Sequence, residues 1–362
     1  MSQAQDWRVY IGTYTQGASK GIYSYAYDPA TGALTDPILA AATVSPSFLA
    51  AHPNGRTLYA VNESRRYNGI ANSGSVSAFT INRSTGALTA LNTVATLGAD
   101  PCHLVVDRTG RWLFVANYSG GSVAIVPIRE DGSLDDSTKV VQHTGAAKVD
   151  PVRQEAAHAH SVDISPDNKF LYVSDLGNDQ IVIYRFDSVT GSLSPYRVTK
   201  LSPGSGPRHI AFSRDRRYLY VFSELTSTVT TFRHDAATAE TEELQTISTL
   251  PPNSTAAKSG AEIAVDPSGR FLYASNRGDD SIAIFSMDAE QGRLTRTGNV
   301  TTRGKTPRHF AIDPAGARLI AANQDSSSLA VFDIDLDTGA LQPVSDLVAA
   351  PQVVCVLFVR MR

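Results

Sequence analysis

Histidine and arginine residues cluster in a few short segments of this chain, each directly ahead of an apolar strand. Arg208 and Arg308 stand in two of these segments, and five of the eight histidines lie in them: His103, His158, His160, His209 and His309. An imidazole exchanges protons near neutral pH, and a guanidinium binds carboxylate or phosphate through two parallel hydrogen bonds. Together these residue types predict acid–base chemistry on a small anionic substrate.

A second set of polar residues stands at equivalent places just after other apolar strands: Glu63, Tyr118, Glu224 and Arg277. We expect His160 to be the general base, because its unperturbed pKa lies closest to neutrality, and Glu224 to orient it or share the proton. Arg208 and Arg277 are expected to hold the anionic part of the substrate. The remaining candidates are predicted substrate contacts: Arg308, His158, His103, Glu63 and Tyr118.

The strands that carry these residues belong to a repeat. Its clearest copy, Ala261–Phe285, reads as strand, Asp-Pro-Ser-Gly turn, strand, polar loop and strand, because period-two apolar patterns are interrupted by turn residues. Six copies of the first turn begin at equivalent positions: His52, Asp107, Ser165, Ser213, Asp266 and Asp313. A fourth strand follows in each copy. Four strands in a period of roughly 50 residues are typical of a β-propeller blade.

The two ends of the chain supply a seventh blade in pieces. Trp7–Tyr14 and Gly21–Tyr27 match the second and third strands of the unit, and Gln352–Phe358 matches its missing first strand. Pairing of these segments would close the ring and remove exposed sheet edges. The sequence therefore predicts an all-β, seven-bladed propeller that forms a single domain over residues 1–362. The candidate residues would then converge on one mouth of the central channel.

Other repeated positions favour structural roles. Short polar residues that end the second strands are predicted to cap backbone groups: Asn62, Asn117, Asp175, Asn276 and Asn323. A column next to the predicted catalytic one holds His103, His209, Glu262 and His309. We expect its side chains to bond neighbouring blades and to point away from those of the adjacent column. Arg65–Asn72 and Lys139–Ala157 are predicted loops over one face.

Composition narrows the functional classes. The 362 residues are 42% hydrophobic and 19% charged, with a net charge of -3, which argues against nucleic-acid binding and disorder. No apolar run is long enough to span a membrane, and the first residues lack a signal-peptide pattern, so a cytoplasmic location is expected. Cys102 and Cys355 fall in non-neighbouring units and are predicted to be free, buried thiols.

Several specific chemistries find little support in the sequence. There is no glycine-rich phosphate loop and no G-x-S-x-G motif, so dinucleotide and serine-nucleophile chemistry are not indicated, and no cofactor is expected. His158 and His160 have the spacing of a metal pair on a strand, but the spacing identifies no third ligand. We therefore predict no metal site.

The segments that carry the candidate residues resemble the lactonase family of seven-bladed propellers, which includes propeller-type 6-phosphogluconolactonase and fungal carboxy-muconate cyclase. The similar segments run through the whole chain: Tyr10–Thr15, Asn117–Val123, Ala157–Val162, Gly206–Phe212, Ser223–Leu225, Ser275–Gly278 and Thr306–Phe310. The resemblance implies an active-site set of one histidine, two arginines and one glutamate at His160, Arg208, Glu224 and Arg277, with Arg308 competing for the place of the second arginine.

Three functions follow as hypotheses. The leading one is hydrolysis of a sugar lactone, 6-phosphogluconolactone in the pentose phosphate pathway. The second is a cycloisomerase acting on a muconate-type lactone, in which the same arginines hold two carboxylates. The third is a propeller scaffold that binds protein partners without chemistry, against which the polar, cationic mouth argues.

Overall fold

The computed structural model describes residues 7–361, which form seven antiparallel sheets arranged as the blades of a propeller. The strands, from the innermost to the outermost of each sheet, are as follows. Blade 1 contains Val353–Arg360, Trp7–Thr13, Gly21–Tyr27 and Leu34–Ala42; blade 2 contains Leu49–Ala51, Thr57–Asn62, Ser75–Ile81 and Leu88–Ala95; blade 3 contains Pro101–Val106, Trp112–Asn117, Ser122–Pro127 and Lys139–Gln142.

The remaining blades follow the same order. Blade 4 contains Ala159–Ile164, Phe170–Asp175, Gln180–Phe186 and Leu193–Lys200, with a 3₁₀ turn at Leu176–Asn178; blade 5 contains Pro207–Phe212, Tyr218–Ser223, Thr228–His234 and Thr241–Ser248; blade 6 contains Gly260–Val265, Phe271–Asn276, Ser281–Met287 and Leu294–Thr301. Blade 7 contains Pro307–Ile312, Arg318–Asn323, Ser328–Ile334 and an outer strand split into Leu341–Pro343 and Val348–Ala349.

The ring closes as the sequence predicts. The C-terminal strand pairs antiparallel with the N-terminal one, with Trp7 opposite Arg360 and Ile11 opposite Val356. The first blade is therefore built from both ends of the chain. Because this pairing occupies the edge that the N-terminal strand would otherwise expose, the seven sheets form a closed circle.

The two predicted insertions need a correction. Lys139–Gln142 is not loop but the outer strand of blade 3, paired with Ser122–Ile125, so this insertion begins only after Gln142. The short KVVQ segment has only two apolar residues and is largely exposed, which hid its strand character. The other insertion contains a two-stranded hairpin, Arg66–Tyr67 with Ile70–Ala71. Both insertions lie on the same face, as predicted: Arg65 pairs with Asp100, and Arg153 reaches Glu224.

The apolar core lies between the blades. Seven clusters of buried side chains are found in the described residues, and each joins two neighbouring blades around the circle. Cys102 and Cys355 are free and buried, which confirms that prediction. Among residues 7–361, no helix is both long and apolar enough to cross a bilayer.

A tyrosine in the second strand of several blades links each blade to the next. The hydroxyls of Tyr59 and Tyr273 donate to the backbone carbonyls of Gly132 and Gly339, at 3.0 and 2.9 Å. Each of these glycines lies in the outer turn of the following blade. A buried hydroxyl must find such a partner, so the pattern fixes the spacing of the blades as well as filling the core.

The predicted polar caps are confirmed. The Asn62 amide donates to the carbonyl of Val44, and the Asn323 amide to that of Thr302, so each cap holds the segment that enters its blade. Asp175 accepts from the backbone N–H of His158 in the same way. These side chains fix the backbone on which the next inner strand begins, which places the candidate residues that stand there.

We expect Tyr273→Phe to lower the free energy of unfolding by about 1 to 3 kcal/mol, because the buried carbonyl of Gly339 would lose its donor. Tyr67→Phe is the matched control: its hydroxyl donates to the Thr93 carbonyl at 3.0 Å, but on the exposed surface where water can replace it. That variant should stay within about 0.5 kcal/mol of the wild type. If urea unfolding shows that the two variants lose the same free energy of unfolding, the hydrogen bond between blades does not stabilise the fold as proposed.

Candidate active site

The inner strands carry a β-bulge at their mouth end. In blade 5, Pro207 pairs with Ser223 and His209 with Phe222, which leaves Arg208 as an extra residue without a partner. His160, Cys102 and Arg308 occupy the same extra position in their own blades. A bulge bends the strand and re-aims its side chains, and a proline is tolerated at the first residue of a strand. The bulge thus aims its extra side chain at the channel, in the Pro-x-His segments of blades 3, 5 and 7 and in Ala-His-Ser of blade 4.

The bulge corrects one prediction. We expected the column of His209 and His309 to point away from the column of Arg208 and Arg308, but all four side chains line one small cavity on the propeller axis. Strict alternation fails because the extra residue interrupts the period of two. Both columns therefore belong to the site, one behind the other along the channel.

Glu224 is the centre of the mouth. Its side chain is 3% exposed, and its two carboxylate oxygens contact three guanidinium groups: Arg153 at 2.5 Å, Arg277 at 2.9 Å and Arg208 at 3.2 Å. The His160 Nε2 atom lies 3.8 Å from the same carboxylate. The four residues that were predicted to be catalytic are thus brought together, although three of them come from different blades than His160.

The charges in this cluster are well defined. Burial alone would raise the pKa of the Glu224 carboxyl, but attraction from Arg277, Arg208 and Arg153 lowers it to about 2, so the group is ionised near neutral pH. Burial lowers the pKa of His160 well below its usual range, and repulsion from Arg208 adds to this. The imidazole is therefore neutral, and its buried Nδ1 atom has no hydrogen-bond partner among the described residues.

Arg153 was missed by the sequence reasoning. It lies in the insertion after blade 3 rather than at a repeated strand position, so the alignment of repeats could not reveal it. Its guanidinium donates to the Tyr118 hydroxyl at 3.1 Å and to Glu224, which brings the insertion over the mouth. The hint in the sequence is that Arg153 stands five residues before His158, the first of the two histidines His158 and His160.

The opposite side of the mouth holds a second carboxylate, Glu63. It accepts hydrogen bonds from the hydroxyls of Ser47, at 2.5 Å, and Tyr14, at 3.0 Å, and it lines the same cavity as Arg208 and Arg308. Burial raises the pKa of Glu63, and attraction from Arg308 opposes that shift. The Arg308 guanidinium stacks over the Tyr14 ring, 5.4 Å from its centroid.

Two other predicted substrate contacts are engaged with the protein itself. The ring nitrogens of His158 face the carbonyl of Tyr118, at 3.0 Å, and the carboxylate of Glu155, at 3.1 Å. Its imidazole also stacks on the Tyr118 ring at 4.5 Å. His158 thereby holds the insertion and the Tyr118 ring in place. The Tyr118 hydroxyl accepts a hydrogen bond from Arg153. Their contacts with substrate remain predictions.

The neighbouring column bonds adjacent blades, as predicted. His103 accepts the backbone N–H of Val162 in the next blade, at 3.3 Å, and His309 accepts that of Val356 in the ring-closing strand, also at 3.3 Å. His103 is otherwise packed against the Phe48 ring, 4.1 Å away. Its predicted substrate contact stays a prediction. In residues 7–361, no group of three or more potential ligand side chains is arranged to hold a metal ion.

The comparison with known proteins agrees with this architecture. The family model described as "Lactonase, 7-bladed beta-propeller" matches residues 8–358. The chain belongs to the lactonase family of seven-bladed propellers. The 6-phosphogluconolactonase of Bacillus subtilis is 36% identical over 298 residues, which cover 82% of each chain, and that of Formosa agariphila is 33% identical over 305 residues, 83% of this chain and 84% of that one.

A solved gluconolactonase structure is similar over nearly the whole chain. The periplasmic gluconolactonase of Pseudomonas aeruginosa has a TM-score of 0.91 and 35% identity, with coverage of 98% of this chain and 99% of that one. The fold and the enzyme class of the present protein, a lactonase, thus agree with the resemblance carried by its strand-start segments.

We expect the buried histidines of this lactonase to stay neutral in mildly acidic solution. Burial lowers the pKa of His103, His160 and His209 well below the usual range, and that of His309 to about 4. At pH 5.5 their ¹⁵N ring resonances should show the neutral form, whereas the urea-unfolded chain should be mostly protonated because its histidines titrate near 6.5. Protonation of His160 at pH 5.5 in the folded protein would contradict this account.

Proposed function

We propose that this lactonase hydrolyses the ring ester of a phosphorylated sugar lactone, 6-phosphogluconolactone. The observation that carries the proposal is the cluster at the mouth: an ionised Glu224 surrounded by three guanidinium groups, beside a neutral His160 with an unpartnered ring nitrogen. The names of the two bacterial relatives point to the same substrate.

In the proposed reaction, His160 accepts a proton from a water molecule while the water oxygen attacks the lactone carbonyl. Arg208 and Arg277 stabilise the negative charge that develops on the carbonyl oxygen, since they are held in place before the reaction by Glu224. The ring C–O bond then breaks, and the leaving oxygen receives the proton from His160. The products are the open-chain acid and the regenerated neutral imidazole.

The balance of charge favours an anionic substituent on the substrate. Four guanidinium groups meet at the mouth: Arg153, Arg208, Arg277 and Arg308. Two carboxylates, Glu224 and Glu63, face them, which leaves a surplus of about two positive charges if both are ionised. A phosphate monoester carries about -1.5 to -2 charges at pH 7 and would neutralise that surplus. A neutral lactone would not.

Glu63 favours a sugar lactone over a muconate-type dicarboxylate. Its carboxylate has more acceptor sites than Ser47 and Tyr14 occupy, so it can also accept hydrogen bonds from ring hydroxyls of a sugar. A second substrate carboxylate placed there would be repelled. This contact is the reason for ranking hydrolysis of a sugar lactone above the cycloisomerase reaction.

The direct test is the decay of freshly generated 6-phosphogluconolactone, gluconolactone and a carboxy-muconolactone in the presence of the protein. We expect the phosphorylated lactone to have the highest kcat/KM, by about tenfold or more, and His160→Ala to lower kcat by about 10² to 10⁴, the usual contribution of a general base. Arg217→Ala, an exposed arginine paired with Asp215, is the control and should match the wild type.

The outcomes of this assay separate the alternatives. Decay of every lactone at the buffer rate would refute the proposal and revive the scaffold hypothesis. Conversion of the muconolactone alone would favour the cycloisomerase. A preference for unphosphorylated gluconolactone would keep the hydrolase but contradict the charge argument.

A second test concerns Arg153. We expect Arg153→Ala to raise KM for the phosphorylated lactone by about tenfold and to leave KM for gluconolactone within about twofold, because one cation of the surplus is lost while Arg208 and Arg277 still hold Glu224. Arg153→Lys should recover part of the loss, since it keeps the charge but not the guanidinium fork. If Arg153→Ala raises KM equally for both lactones, Arg153 does not bind the phosphate.

A further inference from the structure

A buried hydrogen-bonded chain leads from the interior of the channel to Arg208. The Glu262 Oε2 atom lies 2.9 Å from His209 Nδ1, and His209 Nε2 lies 3.2 Å from Arg208 Nη1. Glu262 comes from blade 6, and the other two residues come from blade 5. The side chains of Glu262 and His209 are only 12% and 5% exposed.

The direction of each hydrogen bond follows from chemistry. A guanidinium can only donate, so His209 Nε2 must accept from Arg208, and the ring proton must sit on Nδ1, where it points to Glu262. His309 behaves in a parallel way: its Nδ1 accepts from Val356, so its Nε2 proton faces Glu262 Oε2 at 3.3 Å. Both imidazoles thus face the same carboxylate oxygen, and His209 is the one hydrogen-bonded to it.

The other oxygen of Glu262 is also an acceptor. The backbone N–H of Ile263 donates to Oε1 at 3.1 Å. Both oxygens of Glu262 thus act as acceptors. Burial raises the pKa of the Glu262 carboxyl, and attraction from His309 and Arg208 opposes that shift.

These contacts occupy defined donors of Arg208. One Nη1 proton goes to His209 and the other to the carbonyl of Ala261 at 2.8 Å. The Nε atom lies 3.2 Å from the Glu224 carboxylate as an ion pair, without a hydrogen bond to it. The two N–H groups on Nη2 are left for a ligand. The plane of the guanidinium is thus fixed by groups that lie behind it.

We propose that Glu262 and His209 are positioning residues, which hold the His209 tautomer and thereby orient Arg208 toward the reacting carbonyl oxygen. This inference rests on the proposed function for the role of Arg208. The tautomer and the orientation do not depend on it. In this role both residues act through Arg208 rather than on the substrate itself.

The first experiment reads the tautomer in the wild-type protein. Long-range ¹H–¹⁵N correlation of the His209 ring at pH 7 should show Nδ1 protonated and Nε2 bare. Glu262→Gln should disturb this state, because an amide cannot accept on both of its ends and so cannot replace a carboxylate between the His209, His309 and Ile263 donors. A wild-type His209 protonated on Nε2 would overturn the proposal whether or not the protein hydrolyses any lactone.

The second experiment is a double-mutant cycle on kcat for the lactone that the wild type converts best. Glu262→Gln should lower kcat by about 10- to 100-fold when Arg208 is present, and by less than twofold in an Arg208→Lys background, where no fixed guanidinium remains to be oriented. Losses of equal size in both backgrounds would show that Glu262 acts on stability or on another group, and would overturn the proposal.

Asp163→Asn serves as the matched control. Asp163 is another carboxyl group of the inner strands, burial raises its pKa to about 7, and it accepts a hydrogen bond from the Ser161 hydroxyl rather than from the Arg208 chain. The variant should keep kcat within about twofold of the wild type. A loss comparable to that of Glu262→Gln would mean that any buried channel carboxylate has the same effect, which contradicts a specific relay. Absence of lactone turnover by the wild type would instead refute the proposed function and leave the tautomer result standing.

Discussion

The whole mouth of this propeller depends on one buried carboxylate. Several guanidinium groups at the narrow end of a channel would repel each other and lose their hydration, and each of these effects is costly in a buried place. Glu224 offsets both, because it lies within 3.2 Å of Arg153, Arg208 and Arg277 at once. The neutral His160 lies beside the same carboxylate, with its Nε2 atom 3.8 Å away.

The β-bulge explains how one architecture presents so many different side chains. The extra residue is held by the same local geometry in blades 3, 4, 5 and 7, whatever its identity. Cysteine, histidine and arginine therefore reach the axis from a common backbone. The bulge residues are not members of the apolar clusters between the blades, which are built from other positions of the same strands.

The insertion after blade 3 and the second column contact the candidate catalytic residues from two sides. Arg153 reaches the mouth from the loop that follows blade 3, where it is tied to Tyr118 and Glu224. The histidines and Glu262 lie behind the catalytic column and bond adjacent blades. The site thus has rigid support from the blades on one side and a contact from a loop on the other.

The sequence alone determined the number of blades, the closure by the C-terminal strand and the repeated positions that meet at the mouth, because turn residues and period-two apolar patterns are local features that recur. Tertiary structure decided what local patterns do not encode. The bulge overrode the expected alternation of Arg208 and His209, the strand at Lys139–Gln142 formed by pairing despite a weak pattern, and Arg153 joined the site from outside the repeat. Charges and tautomers likewise depend on which groups face each other across blades, and only the closed ring brings them together.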